Sequence, residues 1–303
     1  MISLQAAGSQ KTTHQKPKNN RILICTDLDR TLLPNGMQPE SPRARERFRH
    51  LVAHPEIAIA YVTGRHRKLV LAAVEEYQLP LPDYVIGDVG TNIYSIQNDQ
   101  WLLWDSWHQE IGISWHGLTH DALASLFTEI GALQLQEPEK QNTYKLSYYV
   151  DPTIDIMQLM MAMQQRLDQK HITASLIWSV DETTNTGLLD ILPASATKRH
   201  AVEFLMNEEG YTLDNTLFAG DSGNDLPVLT SPIHSVLVAN ATLEVREQAL
   251  QMATAQGTQN ALYLARGTLL GMNGNYSAGI LEGCVHFLPA TLAWIEEELN
   301  HDS

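Results

Sequence analysis

Asp27 and Asp29 stand one residue apart in Thr26-Asp27-Leu28-Asp29, directly after the apolar run Ile22-Leu23-Ile24-Cys25. In extended chain two such side chains point the same way, so their charges repel. A second acidic pair lies in Gly220-Asp221-Ser222-Gly223-Asn224-Asp225, again just past an apolar run, Thr216-Leu217-Phe218-Ala219. Carboxylates converging on one place raise one another's pKa unless a cation sits among them. Oxygen-only ligands favour Mg²⁺, which takes one or two protein carboxylates and fills its remaining positions with water and substrate phosphate.

Thr63, after the run Ile57-Ala58-Ile59-Ala60-Tyr61-Val62, offers a hydroxyl and nearby backbone N–H groups to a phosphoryl oxygen, and Gly64 lets the backbone come close. Lys198 falls at the start of a helical stretch and supplies a point charge beside an end that favours anions. Each element is weak alone. Set on successive strand ends, they make a phosphoryl-transfer site with nucleophile, acid, phosphate clamp, cation and metal.

The elements that must position these residues alternate. Short apolar runs at 22–25, 57–62, 84–86, 216–219 and 236–238 read as strands buried on both faces. Helical stretches over 42–53, 68–77, 197–207, 226–229 and 243–252 separate them. The rhythm predicts an α/β fold, a doubly wound parallel sheet with helices on both faces and ligands at the carboxyl ends of its strands. Residues 91–94 and 101–104 read as a hairpin about the turn 97–100. Between about Trp107 and Asp190 the pattern changes to helices near 118–130 and 154–170 with strands at 144–150, 173–180 and 188–192. This predicts an inserted α+β cap at 107–188, a core of 20–106 and 189–303, and a loose tail over 1–19.

The chain has 303 residues, 44% of them hydrophobic and 18% charged, the composition of a folded protein of about two domains. A net charge of -15 excludes nucleic acid as a partner. No run of about eighteen apolar residues offers a membrane span, and the tail lacks the apolar block of a signal peptide. Cys25 and Cys284 are far apart in sequence, so neither a disulfide framework nor a metal knuckle is expected, and a reducing cytoplasm fits.

Asp27-Leu-Asp29-Arg-Thr31, Thr63-Gly64-Arg65, Lys198 and Gly220-Asp221-Ser-Gly-Asn-Asp225 resemble, in that order, the four motifs of the haloacid dehalogenase superfamily of aspartate-nucleophile phosphatases. Tyr144-Lys145-Leu-Ser147-Tyr148-Tyr149-Val-Asp151, Asp190-Ile-Leu-Pro193 and Ser277-Ala-Gly-Ile-Leu-Glu-Gly283 are similar to the sucrose-6-phosphate phosphatase branch, although Arg199 stands where that branch often has Gly. The resemblance implies an Mg²⁺-dependent phosphatase with Asp27 as nucleophile and Asp29 as general acid and base. It implies substrate contacts from Thr63, Gly64, Arg65, Lys145, Ser147, Lys198 and Asn224, and a metal set of Asp27, Asp29, Asp221 and Asp225.

The implied substrate is a phosphorylated disaccharide, sucrose 6-phosphate first, with mannosylfructose phosphate or glucosylglycerol phosphate as alternatives. Association with a sucrose-phosphate synthase belongs to the same implication. A sugar phosphomutase and a silent phosphosugar-binding module are the readings from other classes. His50/His54 and His116/His120 have the spacing of a helical zinc pair but lack further ligands. Trp101, Trp104, Trp107 and Trp115 read first as core or hinge packing.

Overall fold

Leu23 and Cys25 pack into one hydrophobic cluster and Ile24 into another, and all three are fully buried. A run apolar at every position thus becomes a strand covered on both faces. The computed structural model describes residues 21–181 and 184–296; the tail expected at 1–19 lies outside them.

In chain order, β1 (Ile22–Thr26), α1 (Ala44–Ala53), β2 (Ile57–Val62), α2 (Arg67–Glu76) and β3 (Tyr84–Gly87) give the alternation read from the sequence. A hairpin follows, β4 (Asn92–Gln97) and β5 (Gln100–Leu103). It turns through Asn98 and Asp99 at φ 50° and 62°, the backbone of a tight primed turn. Next come α3 (Asp105–Gly112), α4 (His120–Ala124), β6 (Gln134–Leu135), β7 (Leu146–Val150), α5 (Ile156–Gln169), β8 (Ala174–Asp181) and β9 (Thr186–Pro193). The described residues close with α6 (Lys198–Glu209), β10 (Thr216–Gly220), α7 (Leu226–Leu229), β11 (His234–Leu237), α8 (Leu243–Gln256), β12 (Leu262–Leu264), α9 (Ser277–Phe287) and α10 (Thr291–Glu296).

The main sheet has eight strands in the order β12-β11-β10-β1-β2-β3-β4-β5. Strands β12 to β3 run parallel, while the hairpin adds an antiparallel edge. One face is covered by α1, α2 and α9 through residues such as Phe48, Val70 and Leu281. The other is covered by α3, α6, α7 and α8 through Trp107, Val202, Val228 and Ala249. Gly283 lets α9 lie close, since a Cβ there would stand 2.5 Å from the Val236 Cβ. Cys25 and Cys284 are buried and free on opposite faces.

A second, four-stranded antiparallel sheet, β6-β7-β9-β8, packs with α4 and α5 around Trp115, Phe127, Met163 and Leu189. Thus the fold is α/β, with a mostly parallel central sheet and a separate inserted sheet. The expected cap limits, 107 and 188, fall inside α3 and inside β9. Trp107 and Ile111 of α3 belong to the main sheet's core, and β9 carries the inserted sheet on to Pro193. The single helix expected over 118–130 is instead α4 and a short 3₁₀ turn, Ser125–Phe127. There the Ser125 hydroxyl donates to the Ala122 carbonyl, a side-chain bond that competes with helical pairing.

Candidate active site

The carboxyl ends of β1, β2 and β10 are neighbours, because β1 pairs with both of the others. Residues just past those ends, far apart in sequence, therefore meet. Asp27 leaves β1 with its N–H donated to the Ala219 carbonyl of β10 at 2.9 Å, which ties the two exits together. Thr63, also buried, donates its N–H to the Ile86 carbonyl at 2.8 Å and accepts from the Arg65 N–H through Oγ1 at 3.2 Å.

Lys198 is the first residue of α6, whose start is capped by Thr197 accepting from the His200 N–H. Its buried Nζ lies 3.0 Å from Asp27 Oδ1, 2.7 Å from Asp225 Oδ1 and 3.2 Å from Asn224 Oδ1. Asp225 Oδ2 accepts from the N–H groups of Asp221 and Ser222 and from the Ser222 hydroxyl at 3.1–3.2 Å. Those donors occupy Asp225. Asp221 is more open: Oδ1 accepts from Thr31 Oγ1 at 3.0 Å, and Oδ2 lies 3.4 Å from Arg30 Nε.

Carboxylate oxygens of Asp27, Asp221 and Asp225 all lie within 4.8 Å of one another and are buried. Burial pushes Asp27 up to about 7, helped by the charges of Asp225 and Asp221 and opposed by Lys198. Burial and the Asp225 charge push Asp221 up to about 6. Burial alone would depress Lys198, but Asp225 and Asp27 hold it above the ordinary lysine range. An all-oxygen cluster short of positive charge fits a hard divalent cation. Asp27 and Asp221, whose oxygens are least committed to protein donors, are the side chains left to face it.

Asp29 behaves differently. Its carboxylate is outside the cluster and is gripped by Arg65, with Nε 2.9 Å from Oδ2 and Nη2 2.6 Å from Oδ1. Asn35 Nδ2 adds a third bond at 2.7 Å. Burial pushes Asp29 up, yet Arg65 and Asn35 outweigh it and hold the carboxyl below the usual range. Asp29, expected among the metal residues, and Arg65, expected at the substrate, are paired with each other in this arrangement. Asn35 and Arg30 carried no signal in the sequence, since a Pro-Asn-Gly turn and an exposed Arg look ordinary.

In the inserted sheet Leu146, Tyr148 and Val150 of β7 pack inward, which leaves Lys145 and Ser147 on the opposite side. There Ser147 Oγ donates to Asp190 Oδ1 at 2.5 Å, and Lys145 Nζ lies 3.9 Å from Asp190 Oδ2. The histidine pairs form no such group: His54 stacks on Trp294, His116 Nε2 meets the His171 carbonyl, and His120 pairs with Asp121. Trp107 and Trp115 are fully buried.

A parallel sheet with an inserted antiparallel one, and paired aspartates at adjacent strand exits beside a buried lysine, define the phosphoric monoester hydrolases of the haloacid dehalogenase superfamily. The chain belongs to the sucrose-6F-phosphate phosphohydrolase family, whose model matches residues 20–288. It is 55% identical over 276 residues to a HAD-like hydrolase of Nitrosococcus oceani, spanning 91% of this chain and 74% of that one. It is 30% identical to the mannosylfructose-phosphate phosphatase of Agrobacterium fabrum over 74% of this chain and 85% of the relative.

Sucrose-phosphatase 1 of Nicotiana tabacum is 29% identical over 88% of this chain, which spans only 59% of the tobacco protein's length. Among solved structures, the Synechocystis sp. sucrose-phosphatase in complex with sucrose and phosphate superposes with a TM-score of 0.64 at 24% identity, covering 88% of this chain and 98% of that one. A haloacid dehalogenase-like hydrolase of Bacillus subtilis gives 0.62 at 17% identity, covering 91% and 93%. These superpositions concern the fold.

Proposed function

We propose that this phosphosugar phosphatase hydrolyses the ester of a phosphorylated disaccharide, with sucrose 6-phosphate first among substrates, and that it depends on Mg²⁺. The observation that carries the reading is the buried triangle of Asp27, Lys198 and Asp225, with Asp221 alongside. A carboxylate set against a fixed ammonium and spare acidic oxygens suits in-line attack on phosphorus, where approaching anions must be neutralised.

An Asp27 oxygen attacks phosphorus, and the bond from phosphorus to the sugar oxygen breaks. Asp29, once released from Arg65 and protonated, gives its proton to the leaving hydroxyl. Water, deprotonated by Asp29, then attacks the aspartyl-phosphate, freeing inorganic phosphate and restoring Asp27. Lys198, Thr63 and the backbone at Gly64 hold the phosphoryl oxygens, while Asn224 fixes the Lys198 ammonium. A bound Mg²⁺, held by Asp27 and Asp221 with Asp225 behind them, would neutralise phosphoryl charge. The inserted module, with Lys145 and Ser147 on its β7 face, selects the sugar.

The test is phosphate release from a panel of phosphorylated mono- and disaccharides, with and without EDTA, by the wild type and by Asp27→Asn. Loss in EDTA and in Asp27→Asn supports the mechanism; phosphate release that survives Asp27→Asn overturns it. Mannosylfructose phosphate belongs in the panel because the relative acting on it is matched over 85% of its length. Isomer formation without free phosphate would indicate a mutase.

A further inference from the structure

The exit of β3 holds three successive residues in the left-handed region, Asp88 at φ 52°, Val89 at 61° and Gly90 at 91°. Gly adopts this backbone freely, but for a β-branched residue it is strained and persists only where the surroundings impose it. They do so here. The Asp88 N–H donates to the Arg65 carbonyl at 3.0 Å, Trp107 Nε1 donates to the Gly90 carbonyl at 3.0 Å, and a Cβ on Gly90 would stand 3.2 Å from the Thr197 carbonyl carbon. The turn is wedged between the segments that carry Arg65 and Lys198.

What the wedge positions is Asp88, a residue only 5% exposed. Its Oδ2 accepts from Asn92 Nδ2 at 2.8 Å, and among the described residues no donor reaches its Oδ1. Thr91, in the same turn, accepts through its hydroxyl from Asn142 Nδ2 at 2.8 Å, so the inserted module meets the main sheet at this point. Three residues beyond Asn142 comes Lys145, its side chain 11% exposed and its nearest carboxylate, Asp190, at 3.9 Å, beyond hydrogen-bonding distance. Burial pushes the Asp88 carboxyl up, opposed by its bond from Asn92 and by the Lys145 charge. Across the junction a carboxylate and an ammonium, each mostly buried but with its polar tip still within reach of water, thus have hydrogen-bonding capacity that a polar ligand can take over.

We infer that Asp88 is a specificity-determining residue whose free carboxylate oxygen accepts hydrogen bonds from hydroxyls of the substrate's glycosyl ring, opposite Lys145. A carboxylate is an acceptor only, so it selects hydroxyl donors, and a site built to pair them rejects an analogue that lacks them. The assignment rests on the phosphosugar reading above.

Asp88→Gly and Asp88→Asn both tolerate the positive φ, so neither adds backbone strain. The measurement is kcat and KM for sucrose 6-phosphate, mannosylfructose phosphate and p-nitrophenyl phosphate with Mg²⁺, alongside the unfolding midpoint of each variant. If Asp88→Gly fails to fold, the Asn variant decides. The expected result is a fall of about 10- to 100-fold in kcat/KM for the better sugar phosphate, mainly through KM, with p-nitrophenyl phosphate changed by less than about twofold. Equal loss on all substrates overturns the assignment, because Asp88 would then serve the phosphate clamp. No loss on any substrate overturns it too, and leaves the phosphosugar reading intact. A wild type that releases phosphate from no sugar phosphate overturns that reading, and the Asp88 assignment with it.

Discussion

Arg65 holds Asp29 by two parallel bonds, 2.9 and 2.6 Å long, and thereby favours the ionised form of the carboxyl that, in the proposed mechanism, gives its proton to the leaving sugar. Burial pushes this carboxyl up, and the guanidinium together with Asn35 more than reverses the effect. Replacing Arg65 with Gln removes the larger restraint, so the Asp29 pKa rises and the proton survives to higher pH. The alkaline limb of the kcat/KM profile is expected to move upward in Arg65→Gln. A limb that stays in place would mean that Arg65 does not set the protonation of Asp29 in the free enzyme.

The Lys198 ammonium separates two buried carboxylates, at 3.0 Å from Asp27 and 2.7 Å from Asp225. Lys198→Met leaves Asp27 without a side-chain partner and Asp225 without its cation, which costs about 3–5 kcal/mol of stability and is expected to abolish turnover. Asp225→Asn in the same background removes one of the opposed charges and should return part of the loss. Urea unfolding of the wild type, both single variants and the double variant measures that coupling. Additive costs would show that the three groups do not act as one unit.

The raised carboxylates also fix how stability depends on pH. Asp27 is pushed up to about 7 and Asp221 to about 6, so the folded protein binds protons more tightly there than the unfolded chain does. In EDTA, stability should therefore increase as pH falls from about 8 to about 5, before the ordinary carboxylate range is reached. Mg²⁺ competes with those protons, so its addition should raise the melting temperature more at pH 8 than at pH 5. A metal effect independent of pH would place the ion elsewhere.

These two aspartates, with Asp27's neighbours on β2 and β10, were legible in the sequence because each follows an apolar run too short for a helix. The partners that tune them were not. Arg65 and Asp29 are 36 positions apart, and nothing local in Thr-Gly-Arg says that the guanidinium turns to an acid. Asp88 sits in Gly-Asp-Val-Gly, which carried no sign of a site in the sequence, and its proposed role depends on Trp107 and Thr197 pressing the turn into shape. The module's limits were blurred because the change of pattern begins at Trp107, whose ring, as expected of core or hinge packing, is buried beside Phe204 of α6. The two-residue β6 and three-residue β12 are too short to show any period.

Gly90 stands 3.2 Å, measured from an added Cβ, from the Thr197 carbonyl carbon and 3.5 Å from the Lys198 nitrogen, at a φ of 91° that L residues avoid. Gly90→Ala therefore adds backbone strain and pushes on the first turn of α6 at once. The expected cost is about 1–3 kcal/mol in stability with a fall in kcat on every substrate, because the displaced group is the lysine proposed to hold the phosphate. This separates it from the Asp88 variants, whose loss should follow the sugar. Retention of kcat in Gly90→Ala would show that α6 can yield without moving Lys198.

Glu282 is buried in α9 and accepts four bonds, from Tyr263 Oη, the N–H groups of Arg266 and Gly267, and Thr268 Oγ1, at 2.7–3.0 Å. It pins the segment that leads to Tyr276, whose N–H donates to Asn240 Oδ1 at 2.9 Å while Asn240 Nδ2 holds the Arg30 carbonyl at 2.6 Å, three residues from Asp27. Burial pushes Glu282 up, but its donors prevail and keep it below the usual range. A depressed carboxyl contributes stability above the ordinary glutamate pKa and loses it as pH falls through the folded-state value. Glu282→Gln sets an amide N–H₂ against N–H and O–H donors, so a loss of about 2–3 kcal/mol is expected at pH 7. As pH falls below the ordinary glutamate range the wild type itself becomes protonated, and the gap between the two proteins should narrow. Urea midpoints of both proteins across that range measure it; a gap that stays constant into acid would mean that the charge on Glu282 does not hold this segment in place.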